Sequence, residues 1–199
     1  MPIFRGTNNI SKIFRGNTEI VKAFRGVDLI FQSGEPEYEL IADINVTTNT
    51  TQIDFDNLNI TKDDELRLVY TFTQNVSGFE VYRLFVNNNT TNTNYWNQQL
   101  EASGSLLKAS RENANLLTFA ETNIKTSGFA DIKVSNNDRF VAQNHFTYRI
   151  GSNANTIQQR NYNLVSTFAV SSITSLSLQT TNTNGIGVGS RLQLYKVVR

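Results

Sequence analysis

Ile3-Phe4-Arg5-Gly6 returns as Ile13-Phe14-Arg15-Gly16 and again as Ala23-Phe24-Arg25-Gly26, a period of ten residues that also keeps Ile10, Ile20 and Ile30 in register. Lys12 and Lys22 repeat with it. Each unit reads as an extended run, a glycine turn and a second extended run, because Gly accepts φ > 0 without steric cost and Arg-Gly here precedes Thr-Asn, Asn-Thr or Val-Asp. Side chains alternate along a strand, so Ile10, Lys12 and Phe14 share one side, as do Ile20, Lys22 and Phe24. One face of the repeat is therefore apolar.

A ladder of roughly 30 residues cannot bury such a face alone, since chains below about 40 residues usually need oligomerisation or another staple. Further copies of itself, the surface of a larger assembly, or the domain that follows are the possible covers. Arg5, Arg15, Arg25, Lys12 and Lys22 outweigh Glu19 and Asp28 in this segment. That charge suits an acidic partner surface or a solvated strand edge blunted by cations.

The whole chain is nearly neutral, with a formal charge of +1 over 199 residues, which argues against bulk nucleic-acid binding. It is long enough for one sizeable domain plus an appendage. It has no cysteine, so neither a disulfide framework nor a thiolate metal site is available. No apolar run approaches the roughly 18 residues of a membrane span, and the N-terminus lacks a signal-peptide core, so a soluble protein is expected. Asn and Thr make up about a quarter of the residues. Thr favours strands and Asn favours turns, which suggests an all-β protein with polar loops. In such a composition triplets like Asn45-Val46-Thr47 and Asn75-Val76-Ser77 arise by accident and are not read as glycosylation sites.

Ser33-Gly34-Glu35-Pro36-Glu37 breaks the repeat and reads as a linker. The expected organisation is a repeat arm over residues 1–32, a linker over 33–37 and a β-sandwich over 38–199. Period-two alternation marks strands at Tyr38, Leu40, Ala42, Ile44 and Val46, at Ile53 and Phe55, and at Leu66, Leu68, Tyr70 and Phe72. Phe79 to Val86 is apolar on both parities, as in a strand buried on both faces. Asn87 to Asn94 is expected to be a surface loop. Tyr95 to Ala102 reads as a strand, and Lys108 to Asn115 as a turn or short helix between strands. Alternation resumes at Ala130, Ile132 and Val134, at Phe146, Tyr148 and Ile150, at Tyr162, Leu164 and Phe168, at Leu176 and Leu178, and at Leu192 and Leu194. About eight short strands without an amphipathic helix point to a jelly-roll-like sandwich. Gly185-Ile186-Gly187-Val188-Gly189-Ser190 precedes a strand rather than a helix, so it reads as a hairpin loop and not a phosphate cradle.

Catalysis needs an activated nucleophile, a tuned acid–base pair or a metal. His145 is the only histidine and is expected on a solvent face. Asp54 and Asp56 flank Phe55 on the outside of a strand, but Leu58 falls where a calcium loop needs a ligand. Asp63-Asp64-Glu65 reads as a turn. These residues assign no catalytic role, metal or cofactor, and the chain is expected not to be an enzyme. Tyr95-Trp96, directly after the Asn-rich loop, offers flat aromatic faces among amides, which is how proteins hold sugars; the competing reading buries Trp96 in the core. Tyr82 and Arg83 carry the same ambiguity.

The tandem units Lys12 to Ile20 and Lys22 to Phe31 resemble the N-terminal repeats of tailed-bacteriophage fibre and capsid-decoration proteins. The closing run Gly189-Ser190-Arg191-Leu192-Gln193-Leu194-Tyr195 is similar to the end of their β-sandwich domains. The resemblance implies a non-enzymatic virion component, commonly a homotrimer, exposed on the extracellular particle. Its arm would bind other capsid or tail proteins through Phe4, Arg5, Gly6, Ile10, Phe14, Arg15, Gly16, Ile20, Phe24, Arg25, Gly26 and Ile30. The alternative is a receptor-binding module that takes a host glycan at Tyr95 and Trp96.

Overall fold

In the computed structural model the described backbone comprises residues 13–15, 18–20, 22–25, 28–32, 37–103, 106–121, 125–149 and 157–198. The chain divides into two compact units, Met1–Tyr38 with Val198–Arg199, and Glu39–Val197. In the first unit β1 (Ile13–Arg15) pairs antiparallel with β2 (Thr18–Ile20), and β3 (Lys22–Arg25) with β4 (Asp28–Gln32). Ile13 stands opposite Ile20 and Phe14 opposite Glu19. In the second pair Phe24 stands opposite Leu29 and Ala23 opposite Phe31, so a bulge falls at Ile30.

Twelve strands follow among the described residues: β5 (Glu37–Asn45), β6 (Gln52–Phe55), β7 (Glu65–Phe72), β8 (Phe79–Val86), β9 (Tyr95–Ser103), β10 (Leu106–Glu112), β11 (Thr118–Glu121), β12 (Thr126–Val134), β13 (Phe140–Arg149), β14 (Ile157–Ser166), β15 (Leu176–Thr180) and β16 (Arg191–Val198). Eight of them form one sheet in the order β10-β9-β14-β13-β12-β7-β16-β5, and four form a second in the order β11-β8-β15-β6. The protein is thus all-β, with two antiparallel sheets. From β5 to β8 each step changes sheet, as do the steps on either side of β15. The hairpins β9–β10 and β13–β14 stay within the larger sheet and widen it.

Alternation explains why the two sheets close on one core. On β7 the side chains of Leu66, Leu68, Tyr70 and Phe72 are buried, whereas the residues between them are half-exposed. Phe72 stacks on Tyr82 of β8, with ring centroids 4.2 Å apart, and Phe119 of β11 meets Phe146 of β13 edge-on at 5.5 Å. Residues of both sheets therefore belong to a single hydrophobic cluster. Gly128 on β12 is required by this packing. A Cβ there would lie 2.5 Å from the carbonyl oxygen of His145 and 2.6 Å from the Tyr70 hydroxyl. That space lets the buried Tyr70 hydroxyl donate to Asn144 Oδ1 at 2.9 Å.

Several expectations change. Lys108 to Glu112, expected as a turn or short helix, belongs to the strand β10, and the second unit has twelve strands among its described residues rather than about eight. The first strand forms as β5, but Tyr38 and Leu40 are 41% and 49% exposed, and shelter begins only at Ala42 and Ile44. β5 is the last strand of its sheet, so alternation alone did not give it a cover. β8 is not buried on both faces: Phe79 is 52% exposed, and only Phe85 joins Val86 inside at the far end. It is an inner strand of the four-stranded sheet, and on its second face Val81 and Arg83 are half-buried. The Gly185–Ser190 segment is not a hairpin, because it carries the chain from β15 in one sheet to β16 in the other. It is held as an arch: Gly187 N–H donates to Thr73 O at 2.7 Å, Ile186 N–H to Thr50 O at 2.9 Å and Gly189 N–H to Val46 O at 2.9 Å.

Candidate functional site

The Tyr95-Trp96 dipeptide begins β9, and strand alternation sends the two rings to opposite faces. Tyr95 is fully buried. Its hydroxyl donates to Asn89 O at 2.8 Å and accepts from Val86 N–H at 3.2 Å, and burial pushes its pKa up to about 12. It is a pin between the core and the Asn87–Asn94 segment, and is not part of a binding surface. That segment is itself tied down: Asn87 Oδ1 accepts from Thr174 N–H at 2.8 Å and its Nδ2 donates to Ser172 O at 2.7 Å. Asn87 and Asn88 adopt left-handed φ of 50° and 58°, which asparagine tolerates better than most residues.

Trp96 faces outward and is 38% exposed, with the Arg111 guanidinium 4.6 Å above its ring. It lies at one end of the outer face of the eight-stranded sheet. Strand register lays a row across that face: Arg111 opposite Gln98, Gln98 opposite Asn163, Asn163 opposite Gln143 and Gln143 opposite Asp131. Asp131 closes the row in a two-point contact with Arg67, whose Nε and Nη2 donate at 2.6 and 2.9 Å. Next to this row Arg67 covers the Phe129 ring at 4.8 Å, Phe129 stacks on His145 at 5.2 Å, and His145 Nδ1 meets Asn161 Oδ1 at 2.7 Å. His145 is thus half-buried within a side-chain ladder rather than free on a solvent face.

The remaining residues singled out by sequence are dispersed. Asp54 and Asp56 are exposed on β6 and just beyond it, and Asp54 accepts both contacts from the Gln52 amide, at 2.8 and 2.7 Å. Asp64 closes the expected turn by accepting from Thr61 N–H at 2.9 Å, and it meets Lys196 Nζ at 2.7 Å. The lysine contact, helped by that backbone N–H, holds the Asp64 carboxyl below the usual carboxylate range. Tyr82 is a core residue, and Arg83 is half-buried on the opposite face of β8. Phe14, Arg15, Ile20, Phe24, Arg25 and Ile30 lie on β1 to β4, whereas Phe4, Arg5, Gly6, Ile10, Gly16 and Gly26 lie outside the described residues.

One polar centre escaped the sequence reading. Glu80 is fully buried on β8. Its Oε1 accepts from Thr181 N–H at 2.9 Å and Thr181 Oγ1 at 2.7 Å, and its Oε2 accepts from Asn182 Nδ2 at 2.9 Å. Gly185 lies so close that a Cβ there would come within 2.5 Å of Glu80 Oε2. The carboxylate therefore organises the start of the arch between the sheets. The signal was present, because Glu80 shares parity with Tyr82, Leu84 and Val86. Comparison of the chain with protein families, with curated proteins and with solved structures finds no match.

Proposed function

We propose that the chain is a non-enzymatic structural subunit of a tailed-bacteriophage virion, a fibre or capsid-decoration protein, anchored by its N-terminal repeats and displaying a jelly-roll sandwich outward. The observation that carries this reading is the strand order. With the hairpins β9–β10 and β13–β14 set apart as insertions, β5-β16-β7-β12 and β6-β15-β8-β11 remain, eight strands in the order of two interlocked Greek keys. That order supports a jelly-roll reading, and jelly rolls build viral shells, but a fold alone does not fix a function. The tandem antiparallel pairs β1–β2 and β3–β4 add the second support. A two-stranded hairpin alone is marginal in water, so hairpins repeating Phe-Arg-Gly call for a partner surface, either sister copies in a homotrimer or the particle itself.

The test is incorporation. Phe14→Asp replaces an aromatic residue of the repeat, on β1, by a charge and is expected to abolish recovery of the protein in purified particles, while circular dichroism of the full chain keeps its strand signal. Normal incorporation of a folded Phe14→Asp chain overturns the anchoring role.

A further inference from the structure

We propose that the outer face of β10-β9-β14-β13 binds acidic oligosaccharides. This inference is independent of the virion assignment, because it concerns a surface that the repeats do not form. It rests on which groups on that face are already engaged and which are not.

Gln98, Asn163 and Gln143 are exposed, stand directly opposite one another on adjacent strands, and make no side-chain hydrogen bond within the described protein. Strands lie about 4.8 Å apart, so with Arg111 the row spans about 14 Å. Each amide offers two donors and an acceptor, which suits hydroxyl groups that are donor and acceptor at once. At the end of the row Trp96 supplies an apolar surface for a sugar ring, and part of the indole stays in water.

The charge pattern selects the acidic class. Arg111 is exposed and forms no ion pair among the described residues, while its contact with Trp96 orients the guanidinium. The neighbouring carboxylates do not compete for it. Asp131, further along the row, is held by Arg67, and Glu112 accepts from Gln99 Nε2 at 3.3 Å on the opposite face of the hairpin. A planar guanidinium takes a carboxylate through two parallel hydrogen bonds, so a uronic or sialic acid fits beside the indole, with neutral sugars extending over the amides.

Trp96 is the only tryptophan of the chain, so its emission reports on this site alone. The probes are an array of uronate- and sialate-bearing oligosaccharides with their neutral counterparts, followed by fluorescence titration of the full chain with the strongest acidic ligand. Saturable change in the emission is expected. Arg111→Gln should weaken the acidic ligand about tenfold or more and leave neutral counterparts unchanged. Asn163→Asp should weaken it further by repulsion, whereas Asp54→Ala on the other sheet should have no effect. Absence of binding by every acidic oligosaccharide, binding silent at Trp96, or insensitivity to both Arg111→Gln and Asn163→Asp overturns the proposal. If these two variants instead change the oligomeric mass, the face is a contact between copies and the proposal falls.

Discussion

The two faces of the eight-stranded sheet are made by the same strands from opposite chemistry. Inward, Leu66, Leu68, Tyr70 and Phe72 on β7 and Ala130, Ile132 and Val134 on β12 are buried. Outward, the same strands present Arg67 and Asp131, and their neighbours present Gln143, Asn163 and Gln98. The inner face is specified by volume, because packed interiors tolerate neither cavities nor insertions. The outer face is specified by hydrogen bonding and charge, and part of its capacity is unused. Stability should therefore respond to the inner face and recognition to the outer one.

The largest effect should come from Gly128→Ala. A methyl group 2.5 Å from a backbone oxygen cannot be accommodated by rotating a side chain, and β12 is paired on both edges. We expect a loss of about 3 kcal/mol, read by urea denaturation, against a change within about 0.5 kcal/mol for Gln143→Ala on the outer face. Equal effects for the two would break the division between faces.

Glu80→Gln should come next. The substitution preserves shape but turns one acceptor into a donor facing the donors of Thr181 or Asn182. A loss of about 2 kcal/mol is expected, with a larger rise in amide exchange at Thr181 and Asn182 than within β15 and β16. Unchanged exchange there would show that the arch is held by its backbone contacts alone.

The smallest effect concerns Asp64, which faces Lys196 across a half-buried contact at the surface. Its carboxyl is lowered in the folded state, so its contribution is present above about pH 4 and is lost as the pH falls through the lowered value. Asp64→Asn should cost less than about 1 kcal/mol at neutral pH and remove that part of the acid-side loss, and added salt should shrink the difference. A larger loss below pH 4 in the variant than in the parent would contradict the assignment.

Much of the fold was legible because alternation is a local property. Leu66 to Phe72, Ala130 to Val134 and Leu192 to Leu194 appear as strands with the expected parity buried. The same rule separates Tyr95 from Trp96 and places Glu80 inside, although the two aromatics are adjacent in sequence and a carboxylate is rare in a core. The Asn-rich segment misled for a different reason. Asparagine at a left-handed position and asparagine bonding to Ser172 and Thr174 look alike in sequence to asparagine in a free loop.

The sequence by itself determined that this protein is built of strands, where most of them run, which side of each is apolar, and that its first 32 residues repeat. Those properties depend on the period of side chains along one strand and on residues a few positions apart. Only the tertiary structure decided that Gly185 to Ser190 bridges two sheets, that two hairpins widen one of them, and that Arg111, Gln98, Asn163 and Gln143 fall into one row. Strand order and cross-strand register join residues far apart in the chain, and they are set by which faces can be buried together, a choice that no single strand contains.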